Sequence, residues 1–460
     1  MFIFPLWCSI LMIWQFQTSI QLGFVKAVFD TFFVYLAFGL MFLGLLWLHR
    51  EKPNQPKKLT TLKIGQLDFS QEAETKSLLC VGAPGVGKSL TINRIAADTI
   101  KRGDKLLMTD SGGEVMAKMW KAGDLLLNPL DSRTVHWSPF AEMTSAVDAD
   151  RLARSIIPSE PGKDEFWSTA AQNLVAGILQ RLYERGEASN ERLLYFLTIA
   201  NETELKALVS GLPASRIFGT PNMLGSVLGV VGTRTTSFRY LYPDAGVDGF
   251  SVRKWVADET NTGTLWLPYR EDQIASLKSL FSTILGEATN AALSLRPSTV
   301  RRFWVIADEF SALGKIDGLP ESLARGRKFG LRSVLGLQSI AQLEKIYGKN
   351  ETQELLGCIG NWLVLRAPDA ETAKYFSDAL GEQEIEESQT STSQSRNGEK
   401  STSTSLKKTI KKTVLPSEIS SLRERIGLLR LSTNPQNIFE IQIPLIELGA
   451  EKITPFLPKQ

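Results

Sequence analysis

Residues Gly82, Ala83, Pro84, Gly85, Val86, Gly87, Lys88 and Ser89 spell GxxxxGK[ST] in full. The pattern has meaning only where a strand feeds it and a helix leaves it. Both are legible here. Residues 77–81 form an apolar run of strand length, and 90–100 carry a helical pattern. The glycines let backbone N–H groups turn inward around phosphate oxygens, and the following helix N-terminus adds partial positive charge. In that setting Lys88 reaches the β- and γ-phosphates of ATP, and the Ser89 hydroxyl ligates Mg²⁺. A chance glycine-rich turn would lack the flanking strand and helix.

Such a loop needs an acidic partner at the end of a neighbouring strand. Residues 303–307 are apolar throughout and end in Asp308 and Glu309. Asp308 is placed to hold a Mg²⁺-bound water, and Glu309 to polarise the attacking water. The bland alternative, a surface acidic pair after a strand, loses ground once the phosphate loop is present. Gln338 ends the next candidate strand, 332–337, where an amide can touch the γ-phosphate or simply be satisfied locally. Arg325 and Arg327 precede that strand. Either can serve as an arginine finger in a neighbouring subunit, contact DNA, or lie on a solvated face, and spacing does not choose. Asp110 and Glu114 flank Ser-Gly-Gly after the candidate strand 105–109, as part of a nucleotide or inter-subunit face or as a plain turn.

The remaining candidate strands, 263–267, 362–366 and 438–443, alternate with helices such as 273–295. Most strands are apolar on both faces, as buried parallel strands are. This is the α/β pattern. From about 148 to 242 the chain reads as helix after helix, with an apolar stripe at 167, 170, 171, 174, 175, 178, 179 and 182. The expected organisation is a nucleotide-binding domain over 59–140 and 256–446, interrupted by an all-α domain over 141–255. Residues 386–413 hold a stretch of Ser, Thr, Gln, Asn and Lys that cannot bury a core, and read as a mobile loop. Two histidines and three scattered cysteines leave nothing to build a His- or Cys-based metal site or a Ser-His triad. A net charge of +3 is too small for a protein that coats nucleic acid by charge alone.

The first 25 residues carry no charge, and 31–48 is an uncharged run of 18, enough to cross about 30 Å of hydrocarbon. The absence of a basic leader and of a small-x-small site argues against a cleaved signal peptide. Residues 1–50 therefore read as an anchor of two transmembrane helices. Arg50, Lys52, Lys57 and Lys58 put the body on the cytoplasmic side.

Taken in order, these pieces resemble the conjugative type IV secretion coupling proteins of the TraD/TrwB type, membrane-anchored DNA-pump ATPases. The resemblance rests on the two apolar runs, the loop 82–89, Asp110-Ser-Gly-Gly-Glu114, Leu127-Asn-Pro-Leu-Asp131 and Trp137-Ser-Pro-Phe140. It continues through Ala307-Asp-Glu-Phe310, Gly326-Arg-Lys-Phe-Gly330, Gly336-Leu-Gln-Ser339, Ala367-Pro-Asp-Ala-Glu371 and Leu415-Pro-Ser-Glu418. It implies a RecA-like domain with an all-α insertion, and a homohexameric ring with nucleotide between subunits and DNA in the channel. It also implies relaxase and secretion-channel partners and a place in the bacterial inner membrane. Lys88 and Ser89 then bind ATP and Mg²⁺, Asp308 and Glu309 carry the acidic roles, Arg327 is the favoured trans finger and Gln338 the sensor. Two other functions compete. A chromosome-segregation translocase would be expected to carry more membrane spans and a winged-helix DNA reader. An ATP-dependent adaptor would hand over protein substrates without pumping DNA.

Overall fold

The computed structural model describes residues 61–160, 165–220, 222–394 and 400–459, together with Leu36. The two apolar runs read as membrane spans lie outside the described residues, apart from Leu36. No helix among the described residues is long and apolar enough to cross a membrane.

A short hairpin, β1 (Leu62–Ile64) and β2 (Leu67–Phe69), opens the body. The strands that follow are β3 (Leu78–Val81), β4 (Lys105–Ser111), β5 (Leu125–Leu126), β6 (Thr264–Tyr269), β7 (Phe303–Ala307), β8 (Leu331–Leu337) and β9 (Asn361–Val364). After them come β10 (Glu382–Gln394), β11 (Lys400–Lys412), β12 (Ile426–Leu431) and β13 (Asn434–Gln442). Nine of these form one sheet in the order β13-β12-β9-β3-β8-β7-β4-β6-β5. β3 to β9 run parallel, and β12 and β13 extend the β9 edge antiparallel.

Side chains alternate between the two faces, as a pleated strand requires. On β7, Phe303, Val305 and Ala307 face one core, and Trp304 and Ile306 face the other. Helix Lys88–Arg102 covers the second core with Ile92, Ile95 and Ala96. Helix Ile274–Leu293 covers the first. That first core continues without a break into helices Asp148–Ile156, Glu165–Glu184, Asn190–Thr198, Glu202–Leu208 and Met223–Thr235. No strand interrupts the described residues between β5 and β6. On helix Glu165–Glu184 the expected stripe is the buried one. Ala170, Ala171, Leu174, Val175, Ile178, Leu179 and Leu182 are buried, and Trp167 packs partly against them.

The helical insertion is held at its neck by one carboxylate. Glu142 accepts from Trp137 Nε1 (2.8 Å), Ser251 Oγ (2.8 Å), Val252 N (2.6 Å) and Arg253 N (3.0 Å). Entry and exit of the insertion are thereby tied together, which gives Trp137-Ser-Pro-Phe140 a structural reason. Leu127-Asn-Pro-Leu-Asp131 anchors the last described residues. Asp131 Oδ2 accepts from Leu457 N at 3.0 Å, and Arg133 Nη1 donates to the carbonyl of Thr454 at 2.7 Å.

The segment read as a mobile loop has regular backbone structure instead. β10 and β11 pair antiparallel from Glu382↔Lys412 to Gln394↔Lys400. Ladder hydrogen bonds satisfy the backbone without a core, and cross-strand charges help set the register. Lys408 lies 2.9 Å from Glu384, and Lys411 pairs with Glu387. Besides this hairpin, four strands lie outside the expected set: β1 and β2, with three residues each, β5, with only two, and β12, which sits between turn-rich segments.

A buried ionic group ties helix Lys88–Arg102 to the start of the strands. Arg102 donates to Glu74 Oε1 at 2.7 Å and to Asp104 Oδ2 at 2.6 Å, and Arg332 Nε lies 3.4 Å from Glu74 Oε2. Trp304 Nε1 donates to Asp104 Oδ2 at 2.9 Å. Glu74 is wholly buried. Glu74→Ala leaves two buried guanidinium groups short of a counter-charge and is expected to cost about 3–5 kcal/mol. Urea unfolding of the full chain checks this, and a loss under about 1 kcal/mol would show that solvent reaches the group.

Candidate functional site

The strand register decides which residues meet at the carboxyl edge of the sheet. Val81 pairs with Leu337, Ala307 with Leu335 and Thr109 with Ala307. Gly82, Gln338, Asp308 and Asp110, each one residue beyond its strand pair or close to it, therefore share one edge. This is where open α/β sheets bind ligands. Gly336 makes the approach of β7 and β8 possible. A Cβ there would lie 1.8 Å from the carbonyl oxygen of Asp308.

The loop leaves β3 through Gly82, whose N–H donates to Leu337 O at 3.1 Å, and Ala83 N donates to Arg366 O at 2.9 Å. Pro84 and Gly85 are exposed at its crest, and Val86 is buried beneath. Gly87 caps helix Lys88–Arg102 with φ 110°, a conformation that side chains resist, and no side chain caps the first turn. The first-turn amides are thus left to face an anion.

Lys88 is buried, and its Nζ lies 3.4 Å from Glu309 Oε2. The same oxygen accepts from Gln338 Nε2 at 2.7 Å, while Glu309 Oε1 accepts from Ser311 Oγ at 2.6 Å. The Ser89 hydroxyl lies beside the Asp308 carboxylate and favours its charged form. Burial pushes the Asp308 carboxyl up, and Ser89 and Lys88 oppose that rise. Five of the expected residues thus form one connected set: Lys88, Ser89, Asp308, Glu309 and Gln338.

Asp110 lies beside this set. Burial pushes its carboxyl up to about 7, against the N–H of Met116 that it accepts at 2.7 Å, and the charge of Asp308 adds to the rise. Glu114 is exposed, opens helix Glu114–Met119 and pairs with Lys118 at 3.9 Å.

Arg325 and Arg327 are not brought to this edge. Both are exposed and lie before the first residue of β8, at the opposite edge of the sheet. β8 has seven residues, so about 20 Å of strand separates them from Gln338. Two residues at the site were missed. Ser311 had a local signal, a hydroxyl two positions after Glu309. Arg425, whose backbone N–H donates to Val86 O at 2.9 Å, had none.

The donor set fits Mg²⁺ held together with a phosphate. Asp308 Oδ1 is buried with no hydrogen-bond partner among the described residues, and the Ser89 hydroxyl lies beside the same carboxylate. Among the described residues no cluster of three or more His, Cys, Asp or Glu could hold a metal unaided. A magnesium ion that takes ligands from a nucleotide needs no such cluster.

The sheet, the loop and this contact set define a RecA-like α/β P-loop protein. The chain belongs to the type IV secretion coupling proteins: residues 61–444 match the family described as "Type IV secretion-system coupling protein DNA-binding domain". It is 28% identical over 334 residues to coupling protein TraD of Escherichia coli (strain K12), covering 71% of this chain and 47% of TraD. It is similar to the solved structure of the conjugative coupling protein TrwBdeltaN70 in its unbound monoclinic form. There the TM-score is 0.78 and the identity 29%, covering 87% of this chain and 92% of that one. It is equally similar to plasmid coupling protein TrwB in complex with ADP and Mg²⁺, with TM-score 0.78, 29% identity, and 88% and 93% covered. The chain spans about half the length of the curated relatives it matches.

Proposed function

We propose that this chain is an ATP-hydrolysing motor that couples a relaxase–DNA substrate to a type IV secretion channel in conjugation. The observation that carries this reading is the shared contact of Lys88, Gln338 and Ser311 on Glu309, beside the Ser89–Asp308 pair. Without nucleotide, Lys88 neutralises Glu309. An arriving β,γ-phosphate competes for Lys88 and releases Glu309 to accept a proton from the attacking water. Gln338 bonds to that same carboxylate oxygen and continues into helix Ile340–Gly357, so loss of the γ-phosphate has a direct route to a moving element. Ser89 and Asp308 would hold Mg²⁺, which would supply positive charge against the phosphates. The TrwB complex with ADP and Mg²⁺ supports both ligands.

Arg327 is assigned the trans finger. It lies about 20 Å along the sheet from its own phosphate loop, so any nucleotide it touches belongs to a neighbour. A ring, read as a homohexamer, supplies that neighbour. The family's name supports DNA as the substrate. Two spans over 1–50 anchor the ring in the bacterial inner membrane, with the bulk of the chain in the cytoplasm.

The test is ATP turnover of the full chain in lipid nanodiscs, with and without single- or double-stranded DNA. DNA should raise turnover, and an unchanged rate would favour an adaptor. The ring has its own test. Arg327→Ala and Lys88→Ala subunits should each be inactive alone. Mixed, they should recover a fraction of wild-type turnover, because some interfaces join an intact Lys88 to an intact Arg327. If mixing restores nothing while Arg325→Ala subunits do complement, the finger is Arg325.

A further inference from the structure

Arg425 stands at the turn into β12 with φ 61°, one of three non-glycine residues with positive φ among those described. Glycine is the economical residue for this conformation, since in other L-residues Cβ crowds the following carbonyl oxygen at a cost of about 1–2 kcal/mol. The surroundings hold it there from both sides. Its N–H donates to Val86 O at 2.9 Å, inside the phosphate loop, and its carbonyl accepts from Ile443 N at 2.7 Å. Its side-chain stem then runs beside Gly87, since a Cβ on that glycine would lie 3.4 Å from Arg425 Cγ. Arg425 is half-buried, and among the described residues no carboxylate or carbonyl pairs with its guanidinium. A strained arginine with its head group unclaimed, set against the phosphate loop, is a candidate for ligand contact.

Sheet order says which part of a ligand it meets. The loop follows β3. On one side stand β8 and β7, which bring Gln338, Asp308 and Glu309. On the other stand β9 and β12, which bring Arg425. A nucleotide with its γ-phosphate at Glu309 and Lys88 has its remaining length available toward Arg425. A guanidinium offers a planar fork of donors suited to a phosphate oxygen or to the ribose hydroxyls.

We propose that Arg425 binds nucleotide in its own subunit, at the α-phosphate–ribose end, opposite Lys88. The proposal rests on the nucleotide-binding reading above and extends it to a residue outside every phosphate-loop pattern. The variant that tests it is Arg425→Gly in the full chain. Glycine adopts φ 61° freely and keeps both backbone hydrogen bonds, so the loop stays in place and the thermal midpoint should stay level or rise. ADP affinity should fall about 10- to 100-fold, the range of one or two charge-assisted hydrogen bonds. Arg425→Asn, which also tolerates the left-handed region, should show the same loss, and Arg425→Lys a smaller one. Equilibrium binding of a fluorescent ADP, with thermal unfolding alongside, reads all three. Wild-type affinity within twofold in Arg425→Gly and Arg425→Asn would overturn the proposal. A wild-type chain that binds no ADP would instead remove the nucleotide reading, and this inference with it.

Discussion

Lys88→Ala is expected to reduce ATP turnover by about 10²–10³-fold or more, the scale of removing a charged donor from developing phosphate charge. The geometry gives two reasons. The first is the lost charge on the phosphates. The second concerns the acids left behind, because Lys88 lies 3.4 Å from Glu309 and opposes the upward push of burial on Asp308. Without it the Asp308 carboxyl rises further, and a proton competes with Mg²⁺ for the same oxygens. The fold should survive, since the sheet cores contain nothing of Lys88, and thermal unfolding should remain near wild type. Phosphate release under saturating ATP is the measurement. Turnover at the wild-type rate would remove the phosphate-loop assignment.

Glu309→Gln is expected to bind ATP with near wild-type affinity and to hydrolyse it about 10²–10⁴-fold more slowly. The amide keeps the shape that Ser311 and Gln338 hold, at 2.6 Å and 2.7 Å in the native protein, but it cannot accept a proton from water. One of its two contacts must also reverse or break, because the amide nitrogen donates where the carboxylate accepted. Nucleotide affinity measured beside single-turnover hydrolysis separates two roles. Slow hydrolysis with intact binding identifies the base. Loss of both would move Glu309 into the metal shell and leave the base unassigned.

Both predictions use residues that were legible in the sequence, and the reason is physical. Buried parallel strands are apolar on both faces, so 303–307 stood out and matches β7 residue for residue. The acids and the amide follow such runs directly, so their edge of the sheet came with the strand assignment. The helical stripe on Glu165–Glu184 was legible for a similar reason, since a 3.6-residue period survives without knowledge of what it packs against.

Elements that depend on distant pairing were harder to read. β12 carries Gly427 and Arg430 among its leucines and gains its place by pairing with β13 on one side and with Val364, Leu363 and Trp362 of β9 on the other. β10 and β11 hold no apolar core at their centre, and their pairing is a property of the ladder, not of composition. Phosphate-loop chemistry, the acidic partner and the α/β class were written in local patterns of a few residues each. Tertiary structure alone decided that Arg327 stands at the far edge of the sheet from its own loop. It also decided that Glu142 closes the neck of the insertion and that Arg425, more than 330 residues after Val86, lies against the loop. Those facts rest on strand direction, sheet order and a left-handed turn, which are set by contacts between segments remote in the chain.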